Sequence, residues 1–251
     1  MSSADASLAQ RIADAGLDWI VPAWPAPSTV QALVTTRNGG AGEMVAESHR
    51  QLQAFVPAAP RWLRQVHGID VAVQRAEPDT TPVFADAAIT RERGVVCVVE
   101  AADCLPVLFA DRAGTAVGVA HAGWRGLAAG IVERTVDRFE SLGVRADDLV
   151  AWLGPAIGPA AFEVGADVRD AFLAHDLRAD AHFASGAPGK WHADLCGLAR
   201  QRLADSGVDG VSGGGFCTMS DARFHSWRRD RGGGRMAALA WLAPGASAPH
   251  V

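Results

Sequence analysis

Three apolar runs, at residues 95–99, 105–109 and 115–120, follow one another with only short polar breaks. None alternates apolar with polar residues, as a strand with one wet face would. Such runs read as strands covered on both faces. Cover for one face comes next in sequence: residues 123–143 place Leu127, Ile131, Thr135, Phe139 and Leu142 on one helical stripe, widened by Val132 and Val136. Gly143 stands where a C-terminal helix cap belongs. Further strands are expected at 30–36, 61–66, 70–74, 150–153, 208–211 and 236–242, and helices at 47–55, 164–174 and 194–204. The pattern is that of one α/β domain over residues 21–251. Residues 1–20 form an N-terminal extension that carries Leu8, Ile12 and Ala15 at helical spacing.

A chain of 251 residues buries a substantial core. Its net charge of -5 gives no electrostatic reason for nucleic acid or an anionic membrane as partner. No run approaches the roughly 18 apolar residues of a membrane span. The first residues carry neither a basic nor an apolar segment of a secretory leader. The four cysteines make no CxxC pair, and a reducing cytoplasm with free or metal-bound thiols is the expected setting.

The chemistry gathers where apolar runs end. Cys104 precedes the second run, His121 follows the third, and His67 stands upstream in Gln65-Val66-His67-Gly68. One thiolate and two imidazoles make a zinc site with an open fourth position, or an activated cysteine with His121 as base. In the second reading Asp103 or Glu163 orients the histidine. On a strand, Asp103 would face away from its neighbour Cys104. Spacing alone leaves both readings open, beside the plainer one of a buried thiol and two hydrogen-bonded imidazoles. Arg125, at the start of the helix after His121, is an anion contact or a capping group. Arg228 and Arg229 are expected to face opposite ways, one paired with Asp230 and the other directed at an anion. Trp124 and Trp227 suit a planar base or the core. None of the eight histidines forms a His-x-His pair, which argues against a conventional laccase.

At these residues the chain resembles the YfiH-type proteins, also called laccase-domain or polyphenol oxidoreductase proteins. The matching segments are Thr35-Thr36-Arg37-Asn38-Gly39-Gly40, Gln65-Val66-His67-Gly68, Ala85-Asp86-Ala87, Ala102-Asp103-Cys104-Leu105-Pro106 and His121-Ala122-Gly123-Trp124-Arg125-Gly126. Leu153-Gly154-Pro155-Ala156-Ile157-Gly158, Phe162-Glu163-Val164-Gly165, Cys217-Thr218, Ser226-Trp227-Arg228-Arg229-Asp230 and Gly234-Arg235-Met236 continue the match. The resemblance implies a layered α/β domain with mixed β-sheets flanked by helices, similar to the cytotoxic necrotizing factor-like cysteine hydrolases. It implies zinc, with copper less favoured, on His67, Cys104 and His121, which are also the expected catalytic residues.

The implied activity is zinc-dependent purine nucleoside phosphorolysis of adenosine, inosine, guanosine and methylthioadenosine, with some adenosine deamination. Arg37, Arg125 and Arg228 are then the expected substrate contacts, and the partners are a purine nucleoside and phosphate. The alternatives are an amide hydrolase editing peptidoglycan precursors in the cytoplasm and the older polyphenol oxidoreductase label. A monomer or homodimer is expected. After Gly40 the chain lacks a Ser-Leu-Asn-Leu-like segment usual in the family, and His225 stands where an aromatic residue is common.

Overall fold

The computed structural model describes residues 7–38, 51–77 and 81–245. The central apolar runs form strands β4 (Val96–Ala101), β5 (Leu105–Asp111) and β6 (Val117–Ala122). They are joined by β1 (Val30–Val34), β2 (Val71–Val73), β3 (Ala87–Thr90), β7 (Leu149–Leu153), β11 (Gly210–Gly213) and β12 (Met236–Leu242). Six of these make a mixed sheet in the order β11-β7-β5-β6-β3-β2. Its inner pairs are antiparallel, whereas β11 with β7 and β3 with β2 are parallel. A second, antiparallel sheet has the order β1-β12-β4. Three short strands, β8 (Glu163–Val164), β9 (Phe183–Ser185) and β10 (Trp191–Ala193), make a third in the order β8-β10-β9.

The period of two in a strand explains why these runs are apolar throughout. On β5, Val107 and Phe109 belong to the core under the helices, while Leu108 and Ala110 belong to the core between the two large sheets. On β12 and β4, Ala238, Ala240, Cys97 and Val99 join that inter-sheet core. Their neighbours Leu239, Trp241, Val96 and Val98 face away, toward Leu8 and Ile12 of helix α1 (Leu8–Asp14). The order of layers is therefore helix, sheet, sheet, helices. Each fully buried aliphatic side chain contributes about 1.5–3 kcal/mol by leaving water. The N-terminal segment takes part in this core, with Trp19 meeting Phe55 edge-on at 5.1 Å between ring centroids.

Two expected elements differ. The helix over 123–143 is two helices, α2 (Trp124–Ala129) and α3 (Ile131–Ser141). Gly130 separates them with a left-handed φ of 104°, its N–H bonding back to Gly126 and Leu127. That conformation suits glycine and ends a helix even where the apolar stripe continues. The strand expected at 61–66 is reduced to isolated bridges at Arg61 and Arg64. Here the Gln65 side chain replaces a ladder partner: its Nε2 donates to the Glu100 carbonyl at 2.8 Å, and its Oε1 accepts the Glu100 N–H at 2.7 Å. The expected helices near 164–174 and 194–204 appear as α4 (Ala166–Leu173) and α5 (Leu195–Asp205), the latter capped by Asp194. Of the helix expected at 47–55, residues 47–50 lie outside the described residues, as does the chain just after Gly40.

Candidate functional site

Asp86, just before β3, is fully buried and accepts four hydrogen bonds. Three come from the successive backbone N–H groups of Val66, His67 and Gly68, at 3.0, 2.9 and 2.8 Å. The fourth joins its Oδ1 to Nδ1 of His121 at 2.8 Å. One carboxylate thus fixes the loop that carries His67 and the ring of His121. His67 sits at φ 59°, a left-handed conformation stabilised by that grip on its loop. His121 lies in β6 opposite Pro106, and Cys104 immediately precedes β5.

The ligand atoms of His67, Cys104 and His121 all lie within 4.8 Å of one another. Cys104 Sγ is 3.9 Å from His67 Nε2, and the two imidazoles meet edge-on at 4.8 Å. Burial alone would raise the Cys104 thiol, but hydrogen bonds and charge from His121 and His67 outweigh it and bring the pKa down to about 6. Burial alone would lower His121, but Asp86 and Cys104 raise it to about 9. Asp86 is desolvated too, yet His121 and the amides of Gly68 and Val66 hold it below the usual carboxylate range. By contrast, burial pushes the partly buried Cys196 thiol up to about 12 and the fully buried Cys97 higher still.

The cluster opens into a cleft of about 790 Å³. Its walls include Trp124, Phe162 and Trp227, together with Arg125 and Arg228. The Arg125 guanidinium stacks 4.3 Å from the Trp124 ring centroid. Arg228 lies 5.7 Å from the Phe162 centroid, with both terminal nitrogens 3.4 Å from the Glu163 carbonyl. Arg229 turns the other way, to Asp230 and the carbonyls of Thr218, Met219 and Phe224. Arg37 is not among the residues lining the cleft; it pairs with Asp230, which is. His225 also lies outside the lining, and its buried Nε2 has no hydrogen-bond partner among the described residues.

Neither Asp103 nor Glu163 orients the histidine. Asp103 is in a left-handed turn at φ 81°, and its carboxylate bonds Thr218 Oγ1 and the Arg228 amide. Glu163 is exposed on β8 and offers its carbonyl to Arg228. The orienting group is Asp86, which sequence reasoning passed over as part of Ala85-Asp86-Ala87. A single acid between two alanines before an apolar strand was the only available signal.

A family of proteins described as multi-copper polyphenol oxidoreductase laccase matches residues 31–243. This chain belongs to that family. Relatives within the laccase family include a purine nucleoside phosphorylase of Pseudomonas aeruginosa, 50% identical over 244 residues, covering 89% of this chain and 98% of the relative. The purine nucleoside phosphorylase YfiH of Escherichia coli is 46% identical over 243 residues, with the same coverage. Among solved structures, a Neisseria meningitidis protein superposes with a TM-score of 0.82 at 42% identity, covering 90% of this chain and all of that one. YlmD from Geobacillus stearothermophilus gives 0.76 at 28% identity, covering 86% and 93%.

The residues of this laccase-family site suit a metal ion. Two imidazole nitrogens and a thiolate converge, and Asp86 on Nδ1 of His121 leaves Nε2 to ligate, the carboxylate–histidine arrangement of many metal sites. A blue-copper centre adds a weak axial group, commonly methionine. Among the described residues no methionine lines the cleft, and the Gln65 amide is engaged by Glu100. Among the described residues this is the one cluster of three such ligands.

Proposed function

We propose that the protein is a zinc-dependent purine nucleoside phosphorylase. The observation that carries this reading is the joining, in one cleft, of a three-residue cluster that could hold a metal, aromatic walls and guanidinium groups, those of Arg125 and Arg228 among them. The names of the P. aeruginosa and E. coli relatives support it. His67, Cys104 and His121 would hold the zinc, which when bound would supply Lewis-acid polarisation of a substrate oxygen. Trp124, Phe162 and Trp227 offer faces for a planar purine. Arg125 and Arg228 hold and neutralise phosphate. Oriented so, a phosphate oxygen forms a bond to C1′ of the ribose as the bond from C1′ to the purine breaks. The bond's electron pair leaves with the purine, which takes up a proton, and ribose 1-phosphate is the second product. Adenosine, inosine, guanosine and methylthioadenosine all present the required bond. Adenosine deamination belongs to the same proposal: water adds at C6 of the purine and the 6-amino group leaves as ammonia, giving inosine.

The experiment is product analysis of adenosine and inosine with the zinc-loaded protein, with and without phosphate, beside Cys104→Ala. Release of adenine and hypoxanthine that needs phosphate and vanishes in the variant is expected. A wild-type protein with bound zinc and no phosphorolysis would overturn the reading.

A second reading has its own observation. Cys104, His121 and Asp86 stand in the order nucleophile, base and orienter, with a thiol already shifted toward thiolate. That order suits a thiol-dependent amide hydrolase acting on a cell-wall precursor, and is the feature the implied likeness to cysteine hydrolases would rest on. Amide cleavage that survives full zinc removal, but not thiol alkylation, would favour it.

A further inference from the structure

The carboxylate of Asp103 joins three parts of the cleft that are far apart in sequence. Its Oδ1 accepts from Thr218 Oγ1 at 2.5 Å, and its Oδ2 accepts from the backbone N–H of Arg228 at 2.6 Å. Its own carbonyl accepts from the Ile157 amide at 3.0 Å, and its peptide neighbour is Cys104. The segment it holds, helix α6 (Trp227–Asp230), is a single turn. So short a helix has little stability of its own. Trp227 is 56% exposed, so packing does little to fix it. Asp103 and the Ser226 cap are the side chains that bond the backbone amides of this turn.

We propose that Asp103 is a positioning residue: as a hydrogen-bond acceptor it holds Arg228 at the anion end of the cleft, at a fixed offset from Cys104. This rests on the phosphorylase reading for the identity of the anion. Among the described residues, Arg228 has two 3.4 Å contacts to the Glu163 carbonyl and the Phe162 face to steady its guanidinium. The anchor of its backbone therefore sets where its charge lies. Misplacement of a charged contact by about 1 Å is enough to cost binding and rate.

The turn at φ 81° decides which variants are informative. Alanine there would strain the backbone and disturb Cys104 along with the tie. Asp103→Gly removes the carboxylate and accepts the conformation freely. Asp103→Asn tolerates it too, and keeps an oxygen for the Arg228 amide and an amide group for the Thr218 hydroxyl. The measurement is inorganic phosphate binding by calorimetry on the zinc-loaded full chain, with zinc content and nucleoside turnover recorded on the same samples. Asp103→Gly should bind phosphate about tenfold more weakly and retain its zinc, while Asp103→Asn stays within about twofold of wild type. Thr218→Val should fall between them. The proposal is overturned if the Gly and Asn variants bind phosphate alike, whether both as wild type or both impaired, or if Asp103→Gly loses zinc. It is equally overturned if the wild type binds no phosphate. Phosphate binding without phosphorolysis in the wild type counts against the proposed function alone.

Discussion

At the scale of the residue, the site turns on one carboxylate and one thiol. Cys104 ionises early because His121 lies beside it as a cation, and His121 is a cation because Asp86 holds its other nitrogen. The sign follows: as pH falls through about 6 the metal-free protein protonates Cys104, and above it the thiolate persists. Ultraviolet thiolate absorbance of the metal-free protein should titrate with a midpoint near 6. In His121→Ala the midpoint should rise toward the ordinary thiol value of about 8.5. An unchanged midpoint would show that the imidazole is not what stabilises the anion. The meeting of Cys104 with His121 was legible in the sequence, because both border apolar runs, whereas His67 stood out only by its Gln65-Val66-His67-Gly68 segment. Asp86 was not, since a carboxylate that acts by gripping three amides and a ring leaves no spacing motif. Asp103 does face away from the thiol, but through a turn at φ 81° and not through strand alternation, and its carboxylate bonds Thr218 and the Arg228 amide.

Among the elements, the junction of β6 with α2 decides how closely the site closes. A Cβ on Gly123 would lie 2.9 Å from Cys104 Sγ and 3.0 Å from His67 Cδ2. Gly123 has an ordinary extended conformation, with φ -61° and ψ 154°, so the obstacle to a side chain is space alone. Gly123→Ala should therefore fold with a melting temperature close to wild type when metal-free, yet lose most of its zinc affinity in a chelator competition. Wild-type affinity would mean that the ligands can spread without cost. The element boundaries show what periodicity can and cannot report. Strands buried on both faces declare themselves as unbroken apolar runs. The break at Gly130 does not, because the apolar stripe continues from Leu127 to Ile131 across it. The apparent strand at 61–66 failed because a side chain, Gln65, took the hydrogen bonds a strand would have made.

For the whole molecule, two cores flank the six-stranded sheet, and its strands serve both. Leu108 is fully buried between the sheets, one position from residues that face the helices. Leu108→Ala should cost about 2–5 kcal/mol, read as a lower urea midpoint with an unchanged slope. A loss well under 1 kcal/mol would show that the sheets close over the gap. The layered α/β class could be read from the runs and the long stripe. The division into two large sheets could not, because it depends on β1 and β12 pairing from opposite ends of the chain.

The grip of Asp86 has one more implication, for how the centre can decay. Two of the three side chains of the His67, Cys104 and His121 cluster hang from a single buried group, one through its loop and one through its ring. A change at that position would release both together, so the centre has a common point of failure instead of a graded decline. Replacing Cys104 leaves a two-histidine remnant still in register, whereas replacing Asp86 leaves three ligands present in sequence and no longer aimed at one another.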